Sequence, residues 1–409
     1  MKSDGYRDWL IVASLFLTLF IVFGSGYDTA GVFFAPMLGE LGWSRTRLSS
    51  LQTVLALTAG MTAPAVGWLL DRFEARAIMA AGVAFAGVGL MLASRAHSFA
   101  LMVAAFIVLG AGICAATLLP CAFVIANWFG ERRGTALGVT MAGASCGGMV
   151  MTLVAARAIA AAGWRMGFLI LAMPMFLIAL PLVLATVRTR PSREGNRSVA
   201  DAALVRPGLD IGQAVRARSF WMIAVAQFCY SFASVGATVH TVPYLILIGY
   251  RPERAAQVLS ATFGLAALGK PLVGYAADYL SGRIALALSL MLAALGQFLL
   301  LGARGGAAPL VAYALIYGVM SGAPLALIPM LIADSLGLKR FGSVGGITGV
   351  SMTVGAATGP LIAGWIFDVE RSYTAAFVLF AAMLGLGAIA ASRCSPLVTN
   401  QGSAKRTYS

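Results

Sequence analysis

Charge is scarce in this chain. Asp, Glu, Lys and Arg make up 11% of its 409 residues, against about a quarter in an average soluble domain. Histidine occurs only twice, and the five cysteines are scattered, without the paired spacing of a metal site or a disulfide framework. Four of those five fall in apolar runs and read as small filler in a reduced state. No glycine-rich loop ends in Lys-Ser or Lys-Thr, which argues against a P-loop and a pump driven by ATP. The chain reads as no enzyme and implies no cofactor or metal. A cleavable leader is not apparent, because the first apolar run is too long for a signal-peptide core and lacks a small-residue cleavage site.

What the chain has instead is apolar length. Hydrophobic residues make up 60% of it and the mean hydropathy is +0.89. The excess comes in runs of about 20 residues, the length that crosses a hydrocarbon layer of about 30 Å. Clusters of Arg, Asp, Gly and Pro divide these into about twelve spans. Six fall near 10–35, 47–70, 77–94, 99–127, 134–158 and 165–187, and six near 219–246, 254–277, 284–302, 309–333, 342–366 and 373–391.

The formal net charge of +14 raises the possibility of a nucleic-acid partner, but its placement explains it otherwise. With the N-terminus inside, nineteen of the 29 Lys and Arg residues fall on inner segments and nine on outer ones. That bias is the positive-inside rule, and it predicts two cytoplasmic termini and no nucleic-acid partner. The excess of Arg over Lys and the short loops point to a bacterial protein, hence to an inner membrane.

The one long polar segment, 188–217, is rich in Arg, Ser and Pro and reads as a cytoplasmic linker between residues 1–187 and 218–409. The two halves repeat one another. Pro64, Gly67 and Asp71 match Pro271, Gly274 and Asp278 at an offset of 207, as do Pro36, Gly42 and Arg47 with Pro243, Gly249 and Arg254. Arg132, Gly134, Gly138 and Gly147 match Arg340, Gly342, Gly346 and Gly355 at 208. A shared offset across Pro, Asp and Arg positions in three regions indicates duplication.

Gly67-Trp-Leu-Leu-Asp71-Arg72-Phe-Glu-Ala-Arg76 resembles the signature loop between the second and third helices of the major facilitator superfamily. Gly274-Tyr-Ala-Ala-Asp278 through Arg283 resembles its weaker second copy. The resemblance implies an all-α integral membrane fold: twelve transmembrane helices in two pseudo-symmetric six-helix bundles that rock about a midplane site. Asp and Arg at the inner helix ends, with Arg132 and Arg133, would form ion pairs that break on rocking. Gly31-Val-Phe-Phe-Ala-Pro-Met, Glu40-Leu-Gly-Trp-Ser-Arg45 and Trp128-Phe-Gly-Glu-Arg-Arg133-Gly-Thr-Ala-Leu-Gly138 are similar to the monocarboxylate and oxalate–formate exchanger branch. His240-Thr-Val-Pro-Tyr244 resembles the seventh helix of its bacterial members.

Three residues break the internal repeat and so escape the scaffold. Lys270 lies within a span opposite Ala63, and a mid-membrane ammonium costs about 2.5–3.5 kcal/mol on insertion scales. It reads as a substrate-binding cation, as the resemblance also implies for a basic residue before a proline on the eighth helix. A structural ion pair or a snorkelling side chain are its other readings. Asp28 stands opposite Val235 and could titrate as a coupling proton site, pair with Lys270, or simply face water at the outer interface. His240 stands opposite Phe33 and could switch charge near neutral pH, or be a hydrogen-bonded interface residue. Tyr27, Tyr230 and Tyr317 are candidate cavity donors, although aromatic belts explain many such residues.

The expected function is secondary transport of a small organic anion, a monocarboxylate, coupled to protons and working by alternating access as a monomer. An efflux antiporter for drugs or metabolites is the alternative within transport. A non-transporting sensor on the same fold is the alternative outside it.

Overall fold

A run of apolar residues in hydrocarbon must satisfy its own backbone N–H and C=O groups, which leaves helices or a closed barrel. The computed structural model describes residues 6–43, 45–130, 132–189 and 208–397, and it is helical. Most of the expected linker (190–207) and the tail from 398 onward lie outside the described residues.

The first bundle comprises α1 (Tyr6–Phe23), α2 (Ala30–Leu41), α3 (Arg45–Arg72), α4 (Ala75–Ser94), α5 (Phe99–Ala116), α6 (Leu118–Trp128), α7 (Arg133–Pro174) and α8 (Leu180–Thr186). After the short α9 (Ile211–Arg216), the second comprises α10 (Arg218–Leu247), α11 (Pro252–Tyr279), α12 (Gly282–Leu301), α13 (Ala307–Gly322), α14 (Pro324–Leu336), α15 (Phe341–Glu370) and α16 (Thr374–Ser392). Eleven stretches are long and apolar enough to cross a membrane, and one of them, Arg133–Thr186, is 54 residues long. It reverses at Gly163, whose φ of 80° and ψ of 168° suit a residue without a Cβ. Counting that stretch as two crossings gives the expected twelve, and the other boundaries fall within a few residues of those read from the sequence.

The regular helices are interrupted at places the apolar pattern did not mark. Span 1 passes through a five-residue π segment, Gly24–Asp28, before continuing as α2. Span 4 breaks at Thr117 (φ −117°, ψ −116°), between α5 and α6. Span 10 divides between α13 and α14 around Ala323 and Pro324. The last two interruptions sit at nearly equivalent positions of the repeat, so the halves share a broken helix as well as a signature loop.

At the end of the molecule carrying the signature loops, here called the base, the halves meet through glycines. The carbonyl of Gly67 on α3 presses on Gly342 of α15, and that of Gly274 on α11 presses on Gly134 of α7. A Cβ at any of these four positions would collide with backbone, so only glycine permits the approach. Asp71 accepts hydrogen bonds from the amides of Gly342 (3.0 Å) and Ser343 (2.9 Å). Asp278 accepts from those of Gly134 (2.6 Å) and Thr135 (2.8 Å), and from the Thr135 hydroxyl. Each acid thus caps the first turn of a helix in the opposite half, where orphan N–H groups and the helix dipole favour an anion.

Among the described residues the arginines of the signature loops are not the ion-pair partners of these two acids. Arg72 stacks on the Trp68 ring at 4.1 Å, Arg76 donates to the Val187 carbonyl at 2.9 Å, and Arg283 to that of Cys394 at 3.4 Å. Arg132 is exposed beside this network. Arg133 does join the halves, through an ion pair of 3.1 Å with Asp334. The two ends of the linker are tied to the same base. Thr189 donates to Glu74 (2.6 Å) and accepts from the Ala75 amide (2.8 Å), while Asp210 meets Lys339 at 2.8 Å.

Candidate functional site

Above the base, helices of both halves enclose a cavity of about 430 Å³. The broken helices contribute to its wall at their breaks: Thr117, Leu118 and Leu119 from the first half, Gly322, Pro324 and Leu325 from the second. A break of this kind takes backbone groups out of the helical ladder and turns them toward the cavity, a recurrent arrangement at midplane transport sites.

Lys270 lies on this wall, only 3% exposed. Its ammonium donates to Ser145 Oγ (2.6 Å) and to the Met141 carbonyl (3.1 Å), both on α7 of the opposite half. Among the described residues no carboxylate reaches it at ion-pair distance. The side chain does not snorkel, because these two neutral acceptors hold it at mid-span. The hydrogen bonds recorded between the halves run from the base up to this lysine. Gly143-Ala-Ser-Cys-Gly147 carries the letters of a nucleophile elbow, but it lies mid-helix in α7 rather than on a strand-to-helix turn.

Asp28 ends the π segment of span 1, with its carboxylate against Gly148 of α7. It is exposed, and close enough to Lys270 for the two charges to attract without touching. The equivalent stretch of the repeat, Ser231 to Val235, is uninterrupted α-helix. The two halves therefore differ in backbone as well as in side chain where Asp28 stands.

The three tyrosines all line the cavity. Tyr27 stacks on Phe23 (centroids 4.9 Å apart), Tyr317 on Tyr313 (5.2 Å), and the Tyr230 hydroxyl donates to the Ser321 carbonyl at 2.9 Å. His240 is placed elsewhere. It is not on the cavity wall, its Nε2 lies 3.0 Å from the Pro360 carbonyl, and its ring packs against Tyr373. A carbonyl only accepts, so Nε2 is the donor in that bond.

Sequence reasoning missed the polar stripe of span 7. Gln227, Ser231, Ser234 and Thr238 all line the cavity from α10. The signal was there in their spacing of four, three and four, which puts them on one helical face of an otherwise apolar span.

The sequence model of the Major Facilitator Superfamily matches residues 15–264 and 248–406. An MFS-type transporter of Gibberella moniliformis is 29% identical over 396 residues, covering 95% of this chain and 90% of that protein. Monocarboxylate transporter 13 of Bos taurus is 25% identical over 386 residues, covering 94% and 88%. The crystal structure of the transporter FucP in its outward conformation superposes with a TM-score of 0.71 at 16% identity, over 93% of this chain and 98% of that one, a likeness of fold alone. With two repeated bundles, a shared cavity and a family match over nearly its whole length, the chain belongs to the Major Facilitator Superfamily.

Proposed function

We propose that this chain is a secondary transporter of an organic monocarboxylate, coupled to protons and driven by rocking of 1–187 against 218–392. The observation that carries this reading is the buried ammonium of Lys270, held on the cavity wall by two neutral oxygens. A cation so placed is incompletely compensated, and an anionic ligand is the partner it lacks. Because both of its acceptors belong to the opposite half, an arriving carboxylate competes with a bond that holds the halves together. Substrate binding and rocking are then one event. The mammalian relative named as a monocarboxylate transporter supports the same class of cargo.

In this reading Asp28 carries the coupling proton, since its charge feels Lys270 without neutralising it directly. His240, off the cavity and bonded to Pro360, is given a structural part. Tyr27, Tyr230 and Tyr317 shape the cavity around the substrate. The distribution of basic residues supports cytoplasmic termini. A bacterial inner membrane rests on composition alone, the relatives reported above being fungal and mammalian. The fold needs no second copy to complete its cavity, which supports a working monomer.

The test is uptake of labelled carboxylates by proteoliposomes under an imposed pH gradient. Uptake that rises when the outside is made acid, and that is lost in Lys270→Ala, is expected. Absence of any carboxylate uptake by the wild type would sink the proposal.

A further inference from the structure

A serine or threonine inside an apolar helix has few acceptors within reach, and it commonly donates to the carbonyl four residues back. Ser14, Thr18, Thr117, Thr241 and Thr348 all do so, at 2.6–3.0 Å. Ser145 of α7 does not. The carbonyl four residues back, that of Met141, takes the Lys270 ammonium (3.1 Å), and Ser145 Oγ accepts from the same ammonium (2.6 Å). Among the described residues the Ser145 hydroxyl has no recorded acceptor for its own proton.

The internal repeat shows what the lysine displaces. At the offset of 208, Met141 and Ser145 correspond to Gly349 and Thr353 of α15, and all four residues line the cavity. Thr353 donates to the Gly349 carbonyl at 3.4 Å. The residue opposite Lys270 is Ala63, which has no ammonium to interpose. Two equivalent helices thus meet the cavity with equivalent hydroxyls. On α15 the proton is used within the helix, and on α7 it is not.

The consequence is a pair of adjacent donors from opposite halves. An ammonium carries three N–H groups, and Met141 and Ser145 take two of them. One N–H of Lys270 and the O–H of Ser145 are left. Ser145 is half-buried on the cavity wall, and Lys270 is the only charged residue on that wall among the described residues. The two oxygens of one carboxylate can each accept one of these bonds, much as they accept two from an arginine fork. A neutral amide offers a single oxygen in place of the two.

We propose that Ser145 is a carboxylate-binding residue, donating to one oxygen of the substrate while Lys270 donates to the other. This rests on the carboxylate reading above and adds a ligand from the first half, so the bound substrate bridges α7 and α11. A serine that only held the lysine would act in the opposite direction. It would occupy the ammonium, and its loss would leave Lys270 freer for substrate. The sign of the affinity change on removing the hydroxyl therefore separates the two roles.

The full chain in lipid nanodiscs is titrated calorimetrically with pyruvate, benzoate and 3-phenylpropionate, each beside its primary amide. Ser145→Ala is expected to weaken acid binding about tenfold or more, as loss of a hydrogen bond to a charged group implies. Amide binding is expected to stay near its wild-type value. Ser145→Thr keeps a hydroxyl, in the form the repeat carries at Thr353, and is expected to bind acids nearly as the wild type does. Ser145→Cys, whose thiol donates weakly, gives a smaller loss and serves where the alanine variant does not fold. Acid binding in Ser145→Ala as tight as in the wild type, or tighter, overturns the assignment, as does an equal loss in Ser145→Thr. Neither result touches the carboxylate reading. Acids that bind no better than amides, or a wild type that binds no acid, overturn that reading and the assignment with it.

Discussion

Ala63 and Lys270 hold the same position in the two halves. The Ala63 carbonyl presses on Gly346 of the opposite half, with Pro64 beside it, and the Lys270 carbonyl presses on Gly138, with Pro271 beside it. The backbone work of the two residues is identical, and only the lysine adds an ammonium.

Lys270→Ala is therefore expected to leave the fold intact while removing the cation. The first half already functions with alanine at the equivalent place, and the variant no longer buries an incompletely paired charge. Thermal stability should stay level or rise, while carboxylate affinity falls about 10- to 100-fold, the worth of a hydrogen bond to a charged group. Unfolding and uptake measured on the same preparation check this. A variant that unfolds early would mean that the lysine is structural.

The two caps at the base predict a symmetric pair of variants. Asp71→Ala and Asp278→Ala each remove an acceptor serving two backbone amides of the opposite half. Each should weaken base closure by about 1–2 kcal/mol, the range for a lost N-cap. Distances between spin labels at positions 132 and 339 report the opening. The single variants should behave alike and the double variant should add, because the caps share no partner. An effect confined to Asp71 would show that the second copy of the signature loop is idle.

Asp28→Asn keeps the shape of the side chain and abolishes its titration. If Asp28 carries the proton, this variant exchanges labelled substrate across the membrane yet no longer accumulates it against a gradient when the outside is acidified. Accumulation equal to that of the wild type would assign the proton elsewhere.

At the end of the molecule opposite the base, Glu40 accepts from Arg165 and from Trp164 Nε1 (2.6 Å). The Arg165 bond, then that from Trp164, holds its carboxyl below the ordinary glutamate value. A depressed carboxyl contributes stability above its unfolded pKa and loses it as pH falls through the lower folded value. The wild type should therefore outlast Glu40→Gln at neutral pH, and their difference should shrink as pH drops below about 4. Thermal unfolding of both proteins across that range checks the sign.

Much of this architecture was legible before any coordinates. Each span boundary coincided with an Arg, Asp, Gly or Pro cluster, and the constant offset between Pro64-Gly67-Asp71 and Pro271-Gly274-Asp278 announced the duplication. The use of those matched residues was less legible. Asp71 and Asp278 looked like partners for the arginines at the inner helix ends. They turned instead to helix ends about 270 and 140 residues away, because uncapped amides packed against the acid outcompete a neighbouring arginine that can reach solvent or an aromatic face. His240 and Lys270 were both polar residues in apolar spans, and periodicity alone could not separate the one bonded to Pro360 from the one lining the cavity.

The family, the two-bundle fold and the singular standing of Lys270 were determined by the sequence itself, since run length and broken repetition are properties of one dimension. Which groups share the cavity was decided only by tertiary structure. The π segment that sets Asp28 apart, the breaks at Thr117 and Ala323, and the gathering of Gln227, Ser231 and Tyr317 depend on how helices distant in sequence pack. Hydrophobic length dictates that a helix crosses the membrane; close packing of glycines across the halves dictates which of its faces meets the substrate.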